Sequence, residues 1–157
     1  MSRGVYTVSF DQQTIAAASG DYDLVELTAA TDKPIEIVAF EVANKSEIGE
    51  AQEEMVAVSI VRGNTTTGNG TAATGRALDP SDPAASFTAK TVGSPPASAG
   101  TAITLVSTTF NIRAGLSVIY PEAMRPKTAG TALLCVRLTT ALADDAALSG
   151  TVWVREL

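Results

Sequence analysis

Leu133-Leu-Cys-Val-Arg-Leu138 and Thr151-Val-Trp-Val-Arg155 decide the fold class. The first is an almost unbroken apolar run, the reading of a strand buried on both faces. The second alternates, with Val152 and Val154 on one face and Trp153 and Arg155 on the other. Between them, residues 139–150 are small and polar and end in a Ser149-Gly150 turn signal. The pair predicts a broad hairpin that sets the only Trp beside the only Cys in a β core. Trp buries the most area of any side chain, so the core is expected to form around Trp153.

Working outward, Val5–Phe10 alternates with Tyr6, Val8 and Phe10 on one face. Thr14–Ala18 is ambiguous and too short for a stable helix. Tyr22–Thr28 reads as a strand, and Pro34 closes the turn after it. Ile35–Ala43 reads as a long central strand, with Val38, Phe40 and Val42 on one face and Ile35, Ile37 and Ala39 on the other. Met55–Arg62 points Val56, Val58 and Ile60 inward, and Gly49 weakens a rival helix over 47–57. Further strands are expected at Ser86–Val92, Thr101–Thr108 and Leu116–Tyr120.

Four loops punctuate this pattern. The acidic 44–54 loop holds Glu47, Glu50, Glu53 and Glu54. The 63–85 loop has one large aliphatic residue, Leu78, and is expected to lie ordered on its own domain or on a neighbouring subunit. The others are the small-residue loops 93–100 and 121–130. Eight to ten short strands with no convincing helix predict one all-β domain over 1–157: an antiparallel β-sandwich, jelly-roll-like, with long loops and an N-terminal arm at 1–4. An immunoglobulin-like sandwich shows the same strand signals.

Composition excludes more than it assigns. A hydrophobic content of 45% argues against disorder. A net charge of −6 disfavours nucleic acid as a partner. No stretch approaches the roughly 20 apolar residues that span a bilayer, so no membrane partner is expected. Met1–Phe10 lacks the apolar block of a signal peptide, which predicts a protein made in the cytoplasm. The chain has no His, which removes the usual Ser-His-Asp and Cys-His sets and most zinc sites. One Cys makes no internal disulfide.

Each candidate for chemistry meets a plainer reading. Asp79 and Asp82 offer two carboxylates where calcium needs six to eight oxygens, so an Asx-Pro turn is preferred. The glutamates of 47–54 lack an aromatic platform for a glycosidase. Gly68-Asn-Gly70 lacks the Lys-Ser/Thr ending and the helix of a phosphate loop. Cys135 reads as a small buried hydrophobe. Asn64-Thr-Thr66 and Asn69-Gly-Thr71 match glycosylation acceptors and mark exposed loops. Arg113, Arg125, Arg137 and Arg155 suit salt bridges between subunits. No enzyme, cofactor or metal is expected.

Ser59–Gly68, Arg76–Pro83, Phe110–Gly115 and Leu148–Leu157 together resemble small proteins encoded among the virion structural genes of tailed bacteriophages and prophages. The resemblance implies a β-sandwich used as a virion component, such as a capsid decoration (cement) protein, and it carries no catalytic residues. It sets the expected function: a non-enzymatic protein of the virion that binds the outer shell and stabilises it. The expected partner is the major capsid protein or another virion protein, with a homotrimer favoured. Partner contacts are expected at Glu47, Glu50, Glu53, Glu54, Asn64, Thr66, Arg76, Asp79, Asp82 and Arg125. The alternatives are a head-fibre, tail or baseplate adaptor, and a lectin-like carbohydrate-binding module that would use Trp153.

Overall fold

The computed structural model describes residues 4–45 and 54–157. Among them are twelve strands, one 3-10 turn at Glu122–Met124 and no α-helix. Eight strands form the framework: β1 (Val5–Ile15), β2 (Tyr22–Thr28), β3 (Ile35–Asn44), β4 (Met55–Arg62), β8 (Ile103–Asn111), β9 (Leu116–Ile119), β11 (Leu133–Leu138) and β12 (Ala146–Glu156). Four short ones extend the edges: β5 (Thr71–Ala73), β6 (Arg76–Ala77), β7 (Thr88–Gly93) and β10 (Lys127–Thr128).

The strands make two antiparallel sheets. Sheet A runs β10-β3-β12-β1-β6, with β9 also on β3, and sheet B runs β5-β7-β2-β11-β4-β8. The pairings nest: β4 with β8, β3 with β9, β2 with β11, and β1 with β12. The chain is thus one long hairpin rolled so that partners alternate between the sheets. This is the jelly-roll arrangement of two Greek keys.

The expected terminal hairpin does not form. β11 lies in sheet B between β2 and β4, whereas β12 lies in sheet A between β1 and β3. Residues 139–145 cross from one sheet to the other. The Ser149-Gly150 signal is not a turn but the interior of β12. A side chain at Gly150 would run into the Phe10 ring and the Glu41 carbonyl, so a bare backbone is needed there.

The core fills the space between the sheets. Sheet A contributes Tyr6, Val8, Phe10, Ile35, Ile37, Phe40, Val42, Val152 and Val154. Sheet B contributes Leu24, Val25, Leu27, Val56, Val58, Ile60, Phe110, Leu134, Val136 and Leu138. Phe87, just before β7, meets Tyr6 edge-on with ring centroids 5.8 Å apart. Trp153 is only half-buried and faces out of sheet A. The core therefore forms around Tyr6 and the phenylalanines. Each fully buried large apolar side chain contributes about 1.5–3 kcal/mol over leaving it in water.

A bulge changes the face assignment expected for β3. Trp153 pairs with Ala39 but Val154 pairs with Ile37, so Val38 is the extra residue. Ile35 and Ile37 therefore share the core face with Phe40 and Val42, and Ala39 turns outward with Trp153. β2 does the same at Leu24, which leaves both Leu24 and Val25 buried.

Candidate functional site

The two sheets present two outer faces, and the chain treats them differently. On sheet B, segments 64–69 and 95–99 pair with each other through Thr66 N–H to Ser98 O (2.9 Å), Ser98 N–H to Thr66 O (2.9 Å) and Asn69 N–H to Pro95 O (3.0 Å). Gly63 (φ 101°) and Gly100 (φ 68°) allow this close approach. A Cβ on Gly63 would strike the Thr101 carbonyl, and one on Gly100 would strike the Gly63 carbonyl. The paired segments form a lid.

Under the lid, outward residues of β2 and β11 are buried. Arg137 donates to Asp23 through Nε (2.6 Å) and Nη2 (3.1 Å), a forked pair. Arg137 Nη2 also donates to Ala97 O (2.9 Å) and Asn64 Oδ1 (3.3 Å). Asp23 also accepts from the Ala97 N–H (2.6 Å). Glu26 accepts from the Gly68 N–H (2.7 Å). Burial raises the Glu26 carboxyl above its ordinary value, despite that bond. Cys135 lies beside Ala97 and Leu133, and burial pushes its thiol strongly up, away from the thiolate a nucleophile needs.

Among the described residues no segment folds over sheet A in this way, and the register places its outward side chains in rows. One row is Ser9, Thr151, Glu41 and Ser117 across β1, β12, β3 and β9. The next is Arg76, Thr7, Trp153, Ala39 and Ile119. Ile119 is 77% exposed. A third is Val5, Arg155, Glu36 and Lys127. There Glu36 is fully buried and meets Arg125 (2.8 Å), Arg155 (2.7 Å) and Lys127 (3.0 Å). Burial alone would raise Glu36, but the hydrogen bonds from Arg125 and Lys127 and the Arg155 charge outweigh it and hold the carboxyl below its ordinary value.

Around the first row lies a groove of about 570 Å³, lined by the polar Ser9, Asp11, Glu41, Ser117, Ser149 and Thr151, by the apolar Phe10, Val42, Ala43, Ala114 and Leu116, and by Gly115 and Gly150. Ser9 and Thr151 hydroxyls hydrogen-bond at 3.0 Å. Ser149 donates to Asp11 (2.7 Å) and accepts from the Gln12 N–H (2.9 Å). None of these polar groove residues was singled out from the sequence. Their signal was the off-phase half of each strand: Thr7, Ser9 and Asp11 alternate with Tyr6, Val8 and Phe10. Strand order, which brings them together, has no such signal.

The sequence-expected contact residues scatter. Glu47, Glu50 and Glu53 lie outside the described residues, as do residues 1–3 of the expected arm. Glu54 accepts from the Ala143 N–H (2.8 Å) and ties down the crossing segment. Asn64 is buried under the lid, 5% exposed, so its acceptor motif does not mark an exposed loop. Thr66, Arg76 and Asp79 are exposed. Asp79 is an Asx turn: Oδ1 accepts from Ser81 N–H (2.9 Å) and Oγ (2.7 Å), which lowers its carboxyl. The Asp82 side chain lies against Gly4. Arg125 and Arg155 bind Glu36, and Arg137 binds Asp23, within this one chain.

No group of three or more His, Cys, Asp or Glu suited to a metal ion occurs among the described residues. Among the described residues no helix is long and apolar enough to cross a membrane. Comparison with protein-family models, with curated proteins and with solved structures finds no match to this chain.

Proposed function

We propose that the chain is a non-enzymatic structural protein of a virion, a decoration protein that docks as a trimer on the outer shell of a tailed-phage capsid. The observation that carries this reading is the lid. Residues 64–69 and 95–99 fold back on sheet B, so the 63–85 segment belongs to the domain rather than trailing from it. The result is a stiff slab with one outer face closed by its own chain and the other left for contact. Segments 76–77 and 88–93 also pair with β1 and β2 and finish the same side of both sheets. Such a slab suits a part that stabilises a shell by packing. The resemblance of Ser59–Gly68, Arg76–Pro83, Phe110–Gly115 and Leu148–Leu157 to phage virion proteins supplies the location.

The test is the copy number of this protein in purified particles, by quantitative mass spectrometry against the major shell protein. A fixed large fraction of the shell count supports decoration. A few to a few tens of copies moves the reading to a head fibre, tail or baseplate part. Absence from particles overturns it. Light scattering on the isolated protein checks the trimer.

A further inference from the structure

We infer that the open face of sheet A is a binding site for a neutral glycan, centred on the Ser9–Thr151–Glu41–Ser117 row with Trp153 as its platform. Three observations converge. The groove of about 570 Å³ falls in the size range of small-molecule sites. Its side-chain polar groups are hydroxyls, which both donate and accept, and two carboxylates, Asp11 and Glu41, which only accept. That mixture matches a ligand made of many hydroxyls. Trp153 follows Thr151 by two residues on the same face, about 7 Å along the strand. It is half-buried, and its partners in the row are the short Thr7 and Ala39. Trp153 does not itself line the groove; standing in the adjacent row, it would give a sugar lying across both rows an apolar face to stack on, with the groove's polar groups at its edges.

Charge selects among glycans. No Lys or Arg lines the groove, so nothing there neutralises an anionic sugar, and Asp11 and Glu41 repel one. The two carboxylates are fewer than a small cation's site requires, and a cation would leave the indole idle. The site is therefore assigned to uncharged oligosaccharides, and it lies on the face that the decoration reading leaves for the shell, so glycan and shell would compete for it.

Trp153 is the only Trp, so its fluorescence reports directly on the platform. The whole protein would be titrated with maltohexaose, cellohexaose and chitohexaose (fully N-acetylated), with a hyaluronan oligosaccharide and choline as charged controls. The expected result is a saturable change with at least one neutral probe, with amide shifts in NMR clustered at residues 9, 41, 117 and 151. Glu41→Gln and Thr151→Val, both of which alter outward side chains on the open face and are checked by thermal melting, should each weaken binding about tenfold. Trp153→Ala, followed by calorimetry, should weaken it by a similar factor. No saturable binding of any neutral probe at millimolar concentration overturns the inference. So does binding that survives Glu41→Gln and Thr151→Val together, or tighter binding of hyaluronan or choline.

Discussion

Glu26 and Glu36 lie ten residues apart and both point out of a sheet, yet the two outer faces treat them in opposite ways. Glu26 sits under the lid of sheet B, desolvated and held by a backbone N–H, and its carboxyl is raised. Glu36 sits on sheet A, fully buried by Arg125, Lys127 and Arg155, and its carboxyl is lowered. At Glu26 burial and the neighbouring Asp23 charge outweigh the Gly68 N–H and the nearby Lys90 and Arg137 charges; at Glu36 three basic groups in direct contact outweigh burial. Glu26 therefore gives up its charge at a higher pH than Glu36 does.

The sharpest way to break this contrast is to unlock the lid. Asp23→Ala leaves Arg137 buried without its forked partner and should cost about 3–5 kcal/mol in chemical denaturation. The same variant should speed labelling of Cys135 by a thiol reagent, because Ala97, which covers it, loses its anchor on Asp23. A stability unchanged within error would mean that the lid is not held from below.

Glu36→Gln leaves three cations facing a neutral amide and should cost about 1–3 kcal/mol at pH 7. Its pH signature is specific. Glu36 is lowered in the fold, so its stabilisation is fully present above the unfolded carboxyl value of about 4.3. It fades as pH falls from there through the lower folded value. The variant should lose that part of the acid sensitivity in urea titrations run between pH 7 and 3.

Trp153→Ala should cost less than a core aromatic does, about 1 kcal/mol against about 3–5 kcal/mol for Phe40→Ala. Equal losses for the two would put Trp153 back at the centre of the core. The smallest effect is expected at Glu26→Gln, within about 1 kcal/mol and toward higher stability. A raised carboxyl costs stability above its folded value and regains it as pH falls through that value. This variant should therefore flatten a slope of the opposite sign to that of Glu36. A clear destabilisation at pH 7 would show that the Glu26 charge, not just its oxygen, holds Gly68.

How much of this was legible depends on which residues are asked. The alternation of Tyr6, Val8 and Phe10, and of Val56, Val58 and Ile60, marks strands and their inner faces directly. The β3 faces were misread because a bulge at Val38 shifts the phase, and Ile-Val-Ala-Phe carries no mark of where the extra residue falls. The Leu133–Leu138 run rightly signals a strand covered on both sides. That cover comes from Asn64 to Asn69 and Pro95 to Ala99, loops whose small polar composition says nothing about where they lie. Trp153 was taken for core on its size. The row that holds it at the surface depends on β1, β12 and β3 being neighbours, a fact of topology rather than of local sequence.

The nested pairing has a kinetic consequence. Ser9 and Thr151, which touch across β1 and β12, are 142 residues apart in the chain. Even the innermost pair, β4 with β8, must first close over the whole 63–102 excursion. Almost no native pairing rewards the chain early, so loop-closure entropy is met before contacts repay it. This places the molecule among slow-folding topologies, with times of order milliseconds to seconds. Until β12 inserts between β1 and β3, both of those strands present unpaired edges. Those edges are templates for pairing with another chain, so the partly folded molecule is more exposed to edge-to-edge aggregation than the finished fold.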